Sequence, residues 1–204
     1  MKTEKFSKES IQDILEKAKI TQKKFSPFIT LPEKIDDNKR KGALSGIAVS
    51  VKDNICTKGM QTTAGSKILE GYIPPFNATC VERVLDAGGT ILGKTAMDEF
   101  GFGTFSVNCA YGTPKNPLDT ERSCGGSSGG ASCITAVADF PHVALAESTG
   151  GSISCPAAFT GTVGLTPTYG LVSRWGLIDY ANSLDKIGCI GKTIHDVALL
   201  LSVI

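Results

Sequence analysis

Two glycine- and serine-rich loops constrain the fold of this 204-residue chain more than any other feature. The first has the sequence Gly-Gly-Ser-Ser-Gly-Gly at 125–130, and the second has Thr-Gly-Gly-Ser at 149–152. Each leads directly into an apolar segment typical of a helix, at 131–138 and at 153–159. Because glycine has no side chain, such runs suit places where the backbone bends sharply or approaches a ligand closely. The two loops, each ahead of a helix, therefore predict a site built from serine and main chain.

The N-terminal part of the chain predicts a helix, a loop and a strand. Apolar residues at helical spacing predict an amphipathic helix at 8–24, with Ser7 as a possible N-cap. Residues 25–45 contain prolines and the charged cluster 36–41, which is typical of a loop. Apolar residues alternate with small ones at 47–51, a pattern that predicts a strand.

Helices and strands continue to alternate after this strand. Residues 79–82 match a capping box that would open a helix ending at the glycines 88–89, and a short strand is predicted at 90–92. A further strand is predicted at 142–146, and a C-terminal helix pattern covers 195–204. This alternation predicts an α/β sheet with helices on its faces.

Composition excludes several classes of function. The chain is 41% hydrophobic and carries a net charge of +1, so it has no general attraction for nucleic acid or an acidic membrane. Its seven cysteines are scattered and lack a C-x-x-C pair, which argues against a disulfide framework and against a zinc site. No apolar run is long enough to span a membrane and the N-terminus is polar, so we expect a cytoplasmic protein with no metal site and no membrane partner.

One nucleotide-binding motif is present by pattern only. Residues 88–95 match G-x-x-x-x-G-K-[ST] letter for letter. A phosphate-binding loop of this kind needs a preceding strand and a helix that starts at its Lys-Thr end. Here a helix pattern precedes the glycines and 90–92 has a strand pattern, so we expect no nucleotide at this segment.

The second Gly/Ser loop is the better candidate for a nucleophile. A glycine-rich turn before a helix exposes unpaired N–H groups that stabilise an anion, such as the oxyanion of an acyl-transfer intermediate. Ser152 ends this loop, so its hydroxyl would lie beside those N–H groups. The alternative, that both loops are flexible linkers, is disfavoured by the apolar helix patterns that follow them.

A serine nucleophile needs a base, and histidine is the usual one. His142 lies at a strand start and His195 in the C-terminal helix, so we interpret both as structural. Lysine can act instead when burial favours its neutral amine. Lys52, at the end of the apolar strand 47–51, is the best candidate, although a solvated charge is the commoner role for a lysine at a strand end.

Together these motifs resemble the signature of the amidase signature family of Ser-Ser-Lys hydrolases. The two Gly/Ser loops carry the resemblance, and the flanking segments 49–54, 93–100 and 116–117 agree with it. The resemblance implies a mixed β-sheet core flanked by helices on both faces. It also implies one domain over 1–204, with an N-terminal amphipathic helix in 1–24 and a catalytic core in 46–204.

The family resemblance assigns roles to individual residues. Ser152 matches the acyl-forming nucleophile, Ser127 matches a bridging serine that follows a cis peptide bond, and Lys52 matches the base. Three backbone N–H groups match the oxyanion hole, those of Thr149, Gly150 and Gly151. The interval from Ser127 to Ser152 is one residue longer than is usual in the family, which leaves Ser128 as an alternative bridging residue.

Segments at 164–170, 173–174 and 183–185 are similar to the A subunits of glutamyl-tRNA(Gln) amidotransferases, a branch of the family. This similarity implies a protein that hydrolyses glutamine and supplies ammonia for transamidation of misacylated Glu-tRNA(Gln) or Asp-tRNA(Asn). The implied partners are a B subunit that uses ATP and magnesium, and a C subunit; this chain itself needs no cofactor. The alternatives are a stand-alone small-amide amidase, a truncated non-catalytic fragment and a P-loop protein.

The sequence also departs from the family pattern. Ser148 stands where the family has Asp, Ser154 where it commonly has Arg, and Thr166 where it commonly has Lys. The family domain is longer than this chain, and the helix pattern at 195–204 ends without a cap. We therefore expect an N-terminal fragment of the fold, incomplete at the C-terminus and without a complete glutamine pocket.

Overall fold

A six-stranded sheet forms the centre of the computed structural model, which describes residues 10–35 and 38–204. The strands are β1 (Phe28–Thr30), β2 (Ala48–Lys52), β3 (Thr90–Thr95), β4 (His142–Ser148), β5 (Val163–Leu165) and β6 (Lys186–Gly191). Their order across the sheet is β1-β3-β2-β4-β6-β5. Strand β2 is parallel to both of its neighbours, β3 and β4, whereas β1, β5 and β6 pair antiparallel. The sheet is mixed, as predicted.

Helices cover both faces of this sheet. They are α1 (Ile11–Phe25), α2 (Thr79–Asp86), α3 (Gly129–Val137), α4 (Ser154–Thr160) and α5 (Ile194–Val203), with 3₁₀ turns at Lys67–Leu69 and Glu99–Gly101. Because side chains alternate across a strand, Val49 and Val51 of β2 face α2 and α5, whereas Ala48 faces α1 and α3. Each face therefore buries its own apolar cluster.

The starts of α1 and α2 differ from the predicted ones. The N-cap of α1 is Ser10, whose hydroxyl accepts a hydrogen bond from the N–H of Asp13, and the proposed cap Ser7 lies outside the described residues. The predicted capping box at 79–82 is wrong, because the helix begins one residue earlier than that pattern requires. Ala78 is the N-cap without a side-chain cap, and its carbonyl accepts from the N–H of Glu82.

Three strands were not predicted. Strand β1 lies inside the predicted loop 25–45 and is only three residues long. Strands β5 and β6 contain glycines that interrupt their apolar patterns. Gly188 of β6 is required by packing, because a Cβ there would lie 2.3 Å from the carbonyl oxygen of Leu165. Close strand contact thus uses glycine in a segment where the sequence analysis predicted no strand.

The segment that matches the nucleotide motif has a structural role. Gly88 follows α2 with a φ of +86°, and the last six residues of the motif form the buried strand β3. The Nζ of Lys94 donates to the carbonyl of Ile55 and the hydroxyl of Thr62, both at 2.7 Å. The motif therefore lacks the helix that a phosphate-binding loop requires at its Lys-Thr end.

Candidate active site

The predicted site residues converge where the parallel strands β2 and β4 end. Parallel neighbours place their carboxyl ends at the same edge of a sheet, which is where α/β proteins bind ligands. Lys52 is the last residue of β2, and Ser148 is the last of β4. The first Gly/Ser loop runs into the first turn of α3, and the second immediately follows β4. The tertiary structure thus brings both loops to the predicted lysine.

Lys52 is completely buried and has three polar partners. Its Nζ lies 2.7 Å from the Oγ of Ser127, 2.9 Å from the backbone carbonyl of Glu147 and 2.9 Å from the Oε2 of Glu147. A neutral amine can donate two hydrogen bonds and accept one. These contacts therefore allow Lys52 to donate twice to Glu147 while its lone pair accepts a proton from Ser127.

The two adjacent serines of the first loop have different partners. Ser127 follows a cis peptide bond from Gly126 and directs its hydroxyl to Lys52. The hydroxyl of Ser128 donates instead to the backbone carbonyl of Glu147 at 3.0 Å. The N–H of Ser128 donates to the carbonyl of Ser152 at 3.2 Å, which joins the two loops through their main chains.

The first Gly/Ser loop is a tightly packed scaffold. A Cβ on Gly126 would lie 2.3 Å from the Oδ2 of Asp98, and one on Gly130 would lie 2.3 Å from the carbonyl of Pro27. Asp98 is buried, and its own N–H donates to the carbonyl of Ser127 at 3.3 Å. The glycines here permit close packing around Ser127, so this loop is not an open approach to the site.

The second Gly/Ser loop is open. Gly150 and Gly151 are exposed, and a Cβ on Gly150 would meet no heavy atom within 4 Å. Within the described ranges, the backbone N–H groups of residues 149–151 donate no hydrogen bond. Free N–H donors beside a hydroxyl are the arrangement that stabilises a developing oxyanion. This loop therefore leaves room for a ligand's oxygen against its main chain.

Ser152 lies between these free donors and the packed first loop, with 7% of its surface exposed. Helix α4 begins at Ser154, one residue after the start of the predicted helical segment 153–159. In the described part of the chain, no hydrogen bond joins the hydroxyl of Ser152 to that of Ser127. The structure thus forms the Lys52–Ser127 contact and leaves the hydroxyl of Ser152 unbonded. Catalytic hydrogen bonds are often incomplete without substrate.

Sequence reasoning missed the acidic residue at the centre of this site. Glu147 is 1% exposed, and its Oε2 also accepts from the Nδ2 of Asn54 at 3.2 Å. The hydroxyl of Thr149 lies 3.2 Å from the Oε1 of Glu147 and also contacts the buried carboxylate of Asp185. The available signal was the presence of one carboxylate in β4, a strand that is otherwise mostly apolar.

Both histidines lie away from the site, as interpreted from the sequence. His142 is buried, and its Nε2 lies 2.8 Å from the Oγ of Ser50. Burial lowers the pKa of His142 to about 3, and the nearby charge of Lys192 adds to this effect. His195 is exposed on α5. In residues 10–35 and 38–204, no three His, Cys, Asp or Glu side chains are grouped to hold a metal ion, and no helix is long and apolar enough to cross a membrane.

Known proteins match both the sequence and the fold. The family model described as Amidase matches residues 21–204. The A subunit of the glutamyl-tRNA(Gln) amidotransferase from Methanosarcina acetivorans is 47% identical over 199 residues, which cover 94% of this chain and 40% of that protein.

Two solved structures share the architecture. The crystal structure of the glutamyl-tRNA(Gln) amidotransferase A subunit from Thermotoga maritima matches with a TM-score of 0.86 and 39% identity, over 100% of this chain and 48% of that one. The native peptide amidase from Stenotrophomonas maltophilia matches with a TM-score of 0.86 and 34% identity, over 95% of this chain and 43% of that one. The chain therefore spans less than half the length of these relatives.

Proposed function

Because the chain belongs to the amidase family, we propose that it carries a Ser-Ser-Lys centre for amide hydrolysis. In this proposal Ser152 is the nucleophile, Ser127 relays its proton and Lys52 is the base. The observation that carries the proposal is the 2.7 Å contact between the Nζ of Lys52 and the Oγ of Ser127 inside a fully buried site. A lysine that served only as a solvated charge would be exposed at the strand end. Lys52 is instead buried beside a serine hydroxyl.

The first chemical step forms an ester on Ser152. Its Oγ attacks the carbonyl carbon of the amide while its proton moves to the Oγ of Ser127, whose own proton moves to the Nζ of Lys52. The carbonyl oxygen becomes an oxyanion that accepts hydrogen bonds from the free N–H groups of residues 149–151. Collapse of this intermediate breaks the carbon–nitrogen bond.

The protons then return along the same path. Lys52 gives its extra proton to Ser127, which passes one to the departing amide nitrogen. The nitrogen of a primary amide thus leaves as ammonia, and the acyl group stays on Ser152. Water next attacks the ester, losing a proton to the relay, and the second collapse releases a carboxylic acid and restores the hydroxyl of Ser152. Ser127 is favoured over Ser128 for the relay because the Ser128 hydroxyl donates to the Glu147 carbonyl instead.

Glutamine is the substrate we propose, with ammonia passed on for transamidation of misacylated tRNA. The support is the 47% identity to the A subunit of a glutamyl-tRNA(Gln) amidotransferase and the matching fold of a second such protein. This function would require a B subunit, which binds ATP and magnesium, and a C subunit. The similar peptide amidase favours one second candidate, a stand-alone amidase acting on another small amide.

Labelling with a fluorophosphonate tests the nucleophile, because this electrophile bonds covalently to activated serines. We expect a single adduct, mapped by mass spectrometry to Ser152 and absent from the Ser152→Ala variant. Ser154→Ala is the matched control, since this exposed serine lies two residues away and donates only to the carbonyl of Gly151. Unchanged labelling of Ser152→Ala would refute the nucleophile assignment.

The substrate is tested by comparing amides on one preparation. Ammonia release from glutamine and from a C-terminally amidated peptide is measured with and without the B and C subunits. Preferential hydrolysis of glutamine that increases with those subunits supports the amidotransferase assignment. Faster hydrolysis of the peptide amide, without any effect of the subunits, would favour the stand-alone amidase.

A further inference from the structure

The carboxylate of Glu147 is the closest charged group to Lys52. It lies at the end of β4, is 1% exposed, and places its Oε2 2.9 Å from the Nζ of Lys52. The backbone carbonyl of Glu147 contacts the same Nζ at 2.9 Å. Glu147 therefore supplies two of the three polar partners of the lysine, and the hydroxyl of Ser127 is the third.

This arrangement orients the lysine. When the two N–H bonds of the neutral amine point at the two Glu147 oxygens, its lone pair is left facing Ser127. When Lys52 has taken a proton, the new ammonium charge lies beside a carboxylate, and both side chains are buried. Burial makes such an attraction stronger than it would be in water.

We propose that Glu147 is a positioning residue that aims the lone pair of Lys52 at Ser127 and stabilises the ammonium formed as the proton arrives. This inference rests on the proposed function, because it needs Lys52 to be the base. It predicts that the carboxylate sets both the strength of the base and the pH at which it becomes active.

The carboxylate itself accepts a hydrogen bond from Asn54 and lies close to Thr149. Its Oε2 accepts from the Nδ2 of Asn54 at 3.2 Å, and its Oε1 lies 3.2 Å from the hydroxyl of Thr149. Thr149 begins the open loop whose N–H groups face the candidate oxyanion position. Glu147 therefore lies between the base on β2 and the first residue of the second Gly/Ser loop.

Other charges around the pair have their own partners. The hydroxyl of Thr149 contacts Asp185, whose Oδ2 accepts from two backbone N–H groups. Lys186 of β6 donates to the carbonyl of Thr149 at 3.0 Å. Asp53, directly after β2, is paired with Lys94 of β3, and Asp98 is buried in the loop after β3. The ring of Tyr180, which precedes β6, lies near Gly101, as does the Oε2 of Glu147. Apart from Glu147, none of them contacts the Nζ of Lys52 in the described residues, so Glu147 dominates its electrostatics.

The Glu147→Gln variant tests the proposal because it removes the charge and keeps the shape. An opposite charge at this distance shifts a titration by about 1–3 pH units. We therefore expect the acid limb of the kcat/KM profile to move to lower pH by about that amount. A weaker base also reacts more slowly once it is neutral, so we expect kcat at high pH to fall about tenfold. The pH–rate profiles of the variant and the wild type should therefore cross, with the variant faster at low pH.

Glu99→Gln is the matched control. It removes the same charge from a half-buried glutamate that contacts Ser66 and does not contact Lys52. Its acid limb should stay at the wild-type pH. Glu147→Asp, which keeps the charge on a shorter chain, should recover part of the wild-type limb. A limb that does not move in folded Glu147→Gln, or that moves equally in Glu99→Gln, would overturn the proposal.

A measurement that does not need activity separates this proposal from the proposed function. Lysines labelled with ¹³C at Cε are titrated by NMR, and the Lys52 signal is assigned by its loss in Lys52→Met. The midpoint of that signal should move to lower pH in Glu147→Gln and stay unchanged in Glu99→Gln. An unmoved midpoint refutes the coupling of Glu147 to Lys52. A shifted midpoint in a protein that hydrolyses no amide and resists fluorophosphonate refutes the proposed function instead.

Discussion

Replacing Lys52 by methionine should remove activity and also destabilise the fold, for separate reasons. Methionine has similar length but cannot accept a proton, so amide hydrolysis should fall by at least about 100-fold. At a pH below the acid limb of activity, where Lys52 is protonated, the change also leaves the carboxylate of Glu147 buried without its counter-charge. Breaking a buried ion pair in this way costs about 3–5 kcal/mol. For a chain of this size that corresponds to a fall in Tm of roughly 6–20 °C.

A second substitution distinguishes this cause from lost packing. In Lys52→Met/Glu147→Gln neither buried group is charged, and replacing a buried ion pair by neutral groups is often close to neutral. We therefore expect the double variant to recover most of the lost Tm in thermal unfolding while remaining inactive. A double variant no more stable than Lys52→Met would refute the electrostatic reasoning. Wild-type hydrolysis by Lys52→Met would rule this lysine out as the base.

Three further predictions concern other parts of the site and the core. Ser127→Ala should lower turnover by at least about 100-fold, whereas Ser128→Ala should mainly cost about 1 kcal/mol for its lost hydrogen bond; steady-state rates and urea unfolding separate the two. The new methyl group of Gly150→Ala meets open space, so its free energy of unfolding should stay within about 0.5 kcal/mol of wild type while hydrolysis slows. Gly130→Ala should be destabilised in the same urea unfolding assay, because its Cβ would meet backbone atoms. The pKa of His142 is about 3 when folded, so the unfolded chain binds more protons between that pH and about 6.5, and stability should fall as the pH falls through this window. His142→Gln should flatten that pH dependence in urea titrations, and an unchanged slope would contradict the argument.

Much of the fold follows from local patterns. The segments with clear periodicity or a clear apolar run, among them β2, β4 and α3, lie close to their predicted positions. The missed strands β5 and β6 are the ones whose glycines hide the pattern. Gly188 is there because two strands approach closely, and nothing within β6 itself reports that its neighbour is β5.

The candidate site was also predictable only in part. Local sequence identified the open loop and Ser152, because the exposed N–H groups and the hydroxyl are consecutive in the chain. The family resemblance favoured Ser127 over Ser128 but left both in consideration. The structure separates them, since one hydroxyl contacts Lys52 and the other a backbone carbonyl. That difference depends on how the loop packs against Asp98.

By itself the sequence determined the types of chemical group that this protein has available: a serine in a glycine-rich turn, a serine pair and a lysine at the end of an apolar strand. Only the tertiary structure decided which of them meet. Lys52 contacts Ser127 across 75 positions and Glu147 across 95. These contacts depend on the parallel register of β2 and β4, which pairs Val51 with Leu145 and brings both strand ends to one edge. Register results from the packing of the whole sheet, so no local pattern could have placed a carboxylate beside the lysine.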